Sequence, residues 1–228
     1  MNAPRHGCFA RILCTGIVCM LAAACGTAAP RAPAPDGAVA DGRPADGMAA
    51  PTLPAPQPGT AVYAVDPVHT RIAIAVDHAG FSRAIGTVSG TTGTLHLAPG
   101  TWDGAQVAVA IPLDRLDFGD APWNRAVAAG GLLDSNRHPR AQFRSLRVEP
   151  VDAARARLHG ELTLRGITRE VVLDVVRNGE RRYPLPPFRQ TAGFSATTTL
   201  SRADFGSTAW NSMIGDAVDV RIELEASR

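Results

Sequence analysis

The fold is decided by residues 158–176, which read Leu158-His159-Gly160-Glu161-Leu162-Thr163-Leu164-Arg165-Gly166-Ile167-Thr168-Arg169-Glu170-Val171-Val172-Leu173-Asp174-Val175-Val176. Three leucines alternate with polar residues at a period of two, as in a β-strand that covers an apolar interior. Gly166 can adopt a positive φ in the tight connection between Arg165 and Arg169, after which a β-branched run resumes. The stretch therefore predicts an antiparallel β-hairpin.

Similar alternation recurs on both sides of the hairpin. Between residues 113 and 139 the period changes, and Asp120-Ala121-Pro122-Trp123 predicts the start of a helix that Gly130-Gly131 ends. In one strand the apolar phase slips between Phe143 and Leu146, which indicates a bulge. About eight strands with one or two short helices predict an all-β fold, an antiparallel barrel or sandwich. The further predicted strand segments are 70–78, 84–89, 91–97, 107–111, 140–148, 190–200 and 218–224.

Composition and motifs exclude several kinds of chemistry. All 23 basic residues are arginine, so mechanisms that need a Schiff-base or phosphate-loop lysine are excluded. A formal net charge of +2 offers no broad basic field, and we expect no binding to nucleic acid. No nucleophile elbow, zinc-protease helix or dinucleotide fingerprint occurs, and the histidines of residues 61–228 never lie two or four apart. We therefore predict no catalytic residue, no metal site and no cofactor.

The first 25 residues have the pattern of an export signal. All four cysteines lie there, so the later domain has no disulfide and no thiolate metal site. Arg5 and Arg11 precede an apolar run over residues 12–24 that is too short for a stable membrane span. The run ends in Leu21-Ala22-Ala23-Ala24-Cys25-Gly26, which resembles a bacterial lipobox, where a cysteine is lipidated and becomes the mature N-terminus.

This resemblance implies that Cys25 anchors the protein to a membrane, as a lipoprotein on the periplasmic face. The large aliphatic residue usual three places before the cysteine is Ala22 here, with Leu21 one place further out. Simple cleavage that releases a soluble periplasmic product is the alternative.

Residues 26–60 are almost wholly Ala, Pro, Gly and Asp and cannot form a core. As a flexible coil they span roughly 30 to 35 Å. We predict a disordered tether that connects the signal, residues 1–25, to one folded domain over residues 61–228, which is long enough to bury a core of its own.

Whether the predicted barrel is hollow decides what it can do. A barrel of about eight strands has room for side chains or for one slender ligand. The inward positions are mostly aliphatic, and the chain holds only seven Phe, three Trp and two Tyr. Periodicity alone favours a solid aliphatic core over an open cavity, and both alternatives stay open at this point.

Several segments, taken together and in order, resemble the YceI-like family. The resemblance covers essentially all of residues 61–227 and implies a lipocalin-like, extended antiparallel β-barrel whose apolar bore accepts a polyisoprenoid chain, typically in exported bacterial proteins. It implies no catalytic residues. The segments are Val65-Asp66-Pro67-Val68-His69-Thr70 with Val76-Asp77-His78-Ala79-Gly80-Phe81, Leu133-Asp134-Ser135-Asn136-Arg137-His138-Pro139-Arg140-Ala141-Gln142-Phe143, Gly160-Glu161-Leu162-Thr163-Leu164-Arg165-Gly166-Ile167-Thr168-Arg169, and the tail over residues 194–224.

One segment departs from the family's pattern. Family members commonly carry a polar helical segment rich in His, Arg and Asp before the Leu-Asp stretch, whereas residues 121–132 are plainer and more apolar. The resemblance therefore leaves the head group of the ligand open, while a bore that binds a hydrocarbon chain is unaffected. His78 carries over from the family as a polar residue on the apolar side; a core histidine bonded to the backbone is the alternative.

We predict a binding protein, not an enzyme, that sequesters or carries an isoprenoid-type lipid. A small enzyme acting on such a lipid and an envelope interaction module with a filled barrel are the alternatives. The oligomeric state stays open, a dimer being one option. The predicted lipid-binding residues are Ile72, Ile74, Val76, His78, Phe143, Leu162, Leu164, Phe194 and Met213 in the bore, with Trp123 and Val127 near its entrance.

Overall fold

The structure is a computed structural model that describes residues 50–228. The predicted export signal, Cys25 and most of the predicted tether lie outside the described residues. The last part of the tether, residues 50–60, contains no helix or strand. It ends in a turn in which the amide and hydroxyl of Thr60 both donate to the carbonyl of Gln57, at 3.0 and 2.7 Å.

Within the described residues the chain forms eleven β-strands and one α-helix. Neighbouring strands are antiparallel throughout. The elements are β1 (Ala61–Val65), β2 (Arg71–His78), β3 (Ser82–Val88), β4 (Thr92–Leu97), β5 (Gln106–Pro112), β6 (Leu116–Asp117), α1 (Ala121–Ala128), β7 (Arg140–Pro150), β8 (Arg155–Leu164), β9 (Ile167–Arg182), β10 (Gln190–Ser201) and β11 (Ile214–Ser227).

The sheet closes into a barrel with eight strand positions. Its order is β1-β4-β5-β7-β8-β9-β10-β11, and β1 also pairs with β11, which joins the two ends. At one end β2 and β3 continue the positions of β1 and β4, because β2 pairs with both β11 and β3. The two-residue strand β6 extends the position of β5 beside β3. The predicted antiparallel all-β barrel of about eight strands with a short helix is confirmed.

The hairpin predicted from residues 158–176 is also confirmed. β8 and β9 are joined by only two residues, Arg165 with φ 54° and Gly166 with φ 75°. Two successive positive φ values define the type I′ turn that matches the twist of paired strands. The guanidinium of Arg165 donates to the carbonyls of Gly130, Leu132 and Phe205, which fixes the turn to the surrounding loops.

β7 contains the β-bulge that the break in its alternation of apolar residues predicts. The register between β7 and β8 shifts between Ser145 and Arg147. Phe143 lies before the bulge and is buried, whereas Leu146 lies in it and is 49% exposed. The extra residue therefore turns Leu146 to the outside of the barrel.

The helix α1 starts where the sequence predicts. The carboxylate of Asp120 accepts from the amide of Trp123 at 3.3 Å, which caps the first turn, and Pro122 occupies a position where its missing N–H costs nothing. Asn124 accepts from the amide of Phe118 and donates to Asp117, both at 2.8 Å, and so ties the helix to β6. The helix is thereby held against one end of the barrel.

The chain turns sharply between β1 and β2. One carboxylate oxygen of Asp66 accepts from the amides of Val68 and His69, and the other lies 2.7 Å from Nδ1 of His69. Thr70 is fully buried, and its hydroxyl donates to the carbonyl of Glu225 at 3.4 Å and accepts from the amide of Glu225 at 3.3 Å. The buried hydroxyl of Thr70 is therefore satisfied by the backbone of Glu225.

Candidate functional site

The inward side chains of the barrel leave a cavity. Its volume is about 420 Å³, within the range of pockets that hold small ligands. The solid core that periodicity alone favours is therefore wrong. The space arises partly because alanines occupy inward positions where larger aliphatic side chains would fill it. Such alanines in the wall are Ala84, Ala141, Ala156 and Ala196.

Most of the residues predicted to bind lipid lie in the cavity wall. Their position in the wall is a geometric finding, and contact with a ligand stays a prediction. The predicted residues found in the wall are Ile72, Ile74, Val76, His78, Trp123, Val127, Phe143, Leu162, Leu164 and Phe194.

The prediction that Met213 lines the bore is wrong. Its side chain is 44% exposed and is not part of the cavity wall. Met213 lies in the loop before β11, where its carbonyl accepts from the amide of Ala79 at 2.6 Å. Because this loop precedes the regular part of the strand, the alternation of β11 does not extend to it.

Aromatic rings surround the cavity entrance beside α1. Trp123 belongs to the wall and is also exposed, so it connects the interior with solvent. Its ring lies 5.5 Å from that of His78 and 6.1 Å from that of Phe118, measured between centroids. His78 therefore packs on an indole at the entrance.

Exposed apolar side chains continue outward from this entrance. Phe81, in the connection that follows β2, is 91% exposed, and its amide donates to the carbonyl of His78. Trp210 is exposed in the neighbouring loop, where its carbonyl accepts from the amide of Met213. The entrance thus has a partly apolar rim, formed by Phe81, Trp123, Trp210 and Met213.

The opposite end of the cavity is closed by Trp102. Its indole packs on Phe194, with centroids 6.2 Å apart, and its Nε1 donates to the carbonyl of Asp152 at 3.1 Å. The guanidinium of Arg177 stacks on the same indole at 4.5 Å and donates to the carbonyl of Thr101. Burial lowers the pKa of Arg177. The cavity is therefore a blind pocket with Trp102 at its base.

Most polar side chains in the wall are already hydrogen-bonded. Nδ1 of His96 lies 3.2 Å from the amide oxygen of Gln106, and the carboxylate of Asp77 accepts from the amide of Gly80. The guanidinium of Arg202 donates to four backbone carbonyls, two in the loop after β10 and two at the start of β11. The wall therefore offers mainly apolar surface, and it contains no paired nucleophile and base among the described residues.

Residues 63–226 match the sequence profile of the YceI-like domain. The chain belongs to the YceI-like domain family. It is 28% identical over 170 residues to a UPF0312 protein of Ectopseudomonas mendocina, which covers 74% of this chain and 88% of that protein. It is 32% identical over 159 residues to a UPF0312 protein of Pseudomonas putida, with 67% and 79% covered.

The YceI-like barrel is also similar to solved structures. That of Burkholderia cenocepacia BcnA matches with a TM-score of 0.63 at 19% identity, over 71% of this chain and 98% of that one. A polyisoprenoid binding domain from Saccharophagus degradans, implicated in plant cell wall breakdown, matches with a TM-score of 0.50 at 15% identity, over 72% and 97%. These likenesses support the fold described above.

One cluster of the YceI-like domain has the side chains of a cation site. Ligand atoms of Asp66, His69 and Glu225 lie within 4.8 Å of one another. Both carboxylate oxygens of Asp66 already accept hydrogen bonds in the turn after β1. The hydrogen bond between His69 and Asp66 raises the pKa of the His69 imidazole. None of the three residues belongs to the cavity wall. The turn accounts for this cluster, and we assign no ion to it.

Several wall residues of the YceI-like cavity were not singled out from the sequence. Many of these residues could have been predicted from the alternation of β5, β9 and β11, because every second residue of a strand points inward. Trp102 lies in a loop, where periodicity gives no signal. The wall residues that the sequence analysis missed include Leu95, Trp102, Val109, Leu158, Leu173, Val175, Val220 and Ile222.

No helix within residues 50–228 has the length and hydropathy needed to cross a bilayer.

Proposed function

We propose that this protein binds the hydrocarbon part of a polyisoprenoid or similar amphiphilic lipid and keeps it out of water, as a carrier or a sequestering protein. The observation that carries the proposal is the blind cavity, whose wall is mainly aliphatic and aromatic. The likeness to a polyisoprenoid binding domain of Saccharophagus degradans supports the same class of ligand.

Affinity in such a pocket comes from apolar area removed from water. The gain is about 25 cal/mol per Å², or about 0.8 kcal/mol for each buried CH₂ group. A chain of a few isoprene units therefore gains several kcal/mol without any polar contact. Because the base is closed by Trp102, the pocket then selects ligands by length and shape.

Binding accounts for the site better than catalysis does. A catalytic site needs polar groups that are free to touch the reacting atoms. In the cavity wall the guanidinium of Arg202 is directed to backbone carbonyls, and His96 is paired with Gln106. Arg202 is therefore engaged with the backbone, and among residues 50–228 His96 is hydrogen-bonded to an amide and not to a nucleophilic side chain that it could activate.

The test is native mass spectrometry of the protein purified from its own host, followed by organic extraction. We expect a prenyl lipid to copurify, and the stripped protein to take it up again in unchanged form. Chemical conversion of the lipid during incubation would favour the enzyme. A protein that is empty as isolated, and that takes up no added prenyl lipid, would leave only the interaction module.

We also propose that Cys25 is lipidated and holds the domain at the periplasmic face of a bacterial membrane. The support is the lipobox-like sequence that ends at this residue. We expect Cys25→Ser to move the protein from the membrane fraction to the soluble fraction and to abolish labelling by radioactive palmitate. Cys19→Ser, in the same signal, is the control and should change neither. Unaltered fractionation and labelling of Cys25→Ser would instead support a product that is simply cleaved.

A further inference from the structure

One buried hydroxyl in the cavity wall has no partner. Thr91 lies directly before β4, is only 2% exposed and lines the cavity. Its Oγ1 makes no hydrogen bond with any atom of residues 50–228. Buried hydroxyls are nearly always paired, because an unpaired one loses its hydrogen bonds to water and gains none in return. An unpaired hydroxyl that faces a ligand cavity is therefore a candidate contact for the ligand.

Thr70 shows that this fold can satisfy such a group. It also lines the cavity and is fully buried, but its hydroxyl exchanges two hydrogen bonds with the backbone of Glu225. The two threonines follow neighbouring turns, which are joined by a hydrogen bond from the amide of Gly90 to the carbonyl of Pro67 at 3.1 Å. The hydroxyl of Thr70 therefore stabilises the fold through its hydrogen bonds, whereas the hydroxyl of Thr91 forms none within residues 50–228.

The surroundings limit what Thr91 can bind. The guanidinium of Arg202 is engaged with backbone carbonyls, and Arg177 stacks on the base indole without being part of the wall. A phosphate group taken into the cavity would lose its hydration without meeting a free cation among the wall residues. A neutral oxygen needs only one hydrogen bond, and a hydroxyl can donate or accept it.

We infer that the Thr91 hydroxyl forms a hydrogen bond with an uncharged oxygen of the bound lipid, in a hydroxyl, ether or carbonyl group. The inference rests on the proposed function and adds the chemistry of the polar contact. The apolar wall supplies most of the affinity, and Thr91 distinguishes a lipid that carries such an oxygen from a pure hydrocarbon of the same shape.

The test compares two probes with one skeleton, farnesol and the hydrocarbon farnesene, on the full chain stripped of lipid. Thr91→Val replaces the hydroxyl by a methyl group of similar size. We expect it to weaken farnesol binding about tenfold and to leave farnesene binding unchanged, as measured by quenching of tryptophan fluorescence. Thr91→Ser keeps the hydroxyl and should keep the preference for farnesol. Equal losses for both probes, or no loss for farnesol, would overturn the inference.

Thermal unfolding of the ligand-free chain gives an independent readout. Thr91→Val removes an unpaired buried hydroxyl and should raise the melting temperature. Thr70→Val is the matched control: it breaks both hydrogen bonds to Glu225 and should lower the melting temperature. A lower melting temperature for Thr91→Val would show a structural partner for the hydroxyl and contradict the inference. If neither probe binds the parent chain, the proposed function itself fails.

Discussion

Replacing Leu162 with arginine is expected to abolish binding of prenyl lipids. Leu162 is buried in the cavity wall on β8, opposite Phe143 of β7. An arginine there places a charge in an aliphatic wall, where desolvation of the charge is costly. Its long side chain also occupies the space of the ligand. We expect the dissociation constant for a prenyl lipid to rise by more than about 100-fold, a loss of about 2.7 kcal/mol or more, in tryptophan quenching titrations.

Leu146→Arg is the matched control, because it makes the same substitution on the outside of the barrel. Leu146 lies in the bulge of β7 and is 49% exposed, so its arginine points to water and binding should stay within about twofold of the parent chain. A buried charge also lowers stability, so Ala196→Phe provides an uncharged obstruction of the same cavity. It should weaken binding at least about tenfold with the barrel intact by circular dichroism. Equal affinities for Leu162→Arg and Leu146→Arg would place the lipid elsewhere.

The closed base has a consequence for exchange of the ligand. Trp102 is held by Phe194, Asp152 and Arg177, so lipid must enter and leave by the entrance beside α1. The rings of Trp123 and His78 lie there. Displacement of these rings should therefore add to the barrier that the contacts with the wall already set for release of the lipid.

The strands and their inward faces could be predicted from the sequence because they depend on local order. The leucines of β8 alternate at a period of two, and the pair Arg165-Gly166 has the chemistry of a two-residue turn. The start of α1 could be predicted in the same way, since Asp120 and Pro122 stand at cap and first-turn positions. These features need no knowledge of distant residues.

The cavity could not be predicted in this way, because it depends on contacts between distant parts of the chain. Closure requires β1 to pair with β11, which lies at the other end of the domain. Trp102 becomes the base only when β9 and β10 bring Arg177 and Phe194 to it. Whether Ala156 and Ala196 leave a void depends on the side chains that face them. The position of Met213 could not be predicted from alternation, because it precedes the regular part of β11.

The second large effect is expected at Gly160, where Gly160→Val should lower the free energy of unfolding by about 3 kcal/mol. A Cβ atom at this position would lie 2.3 Å from Cζ of Phe143 and 2.6 Å from the carbonyl oxygen of Arg144. The backbone contact cannot be relieved by a change of rotamer, and the ring of Phe143 can only move at the expense of the cavity wall. Urea denaturation measures the loss.

Gly179→Val tests whether this cost comes from the close approach or merely from valine at a strand glycine. Gly179 lies in β9, and a Cβ atom there would have no neighbour within 4 Å. Valine favours strands, so this variant should unfold at the same urea concentration as the parent chain or a higher one. Since Phe143 packs on Gly160 and also lines the cavity, Gly160→Val should in addition reduce lipid binding in whatever fraction still folds. Equal stability of the two variants would mean that the ring of Phe143 and the backbone of β7 move without cost to accommodate the valine. The cavity wall around Phe143 would then be too deformable to select a ligand by shape.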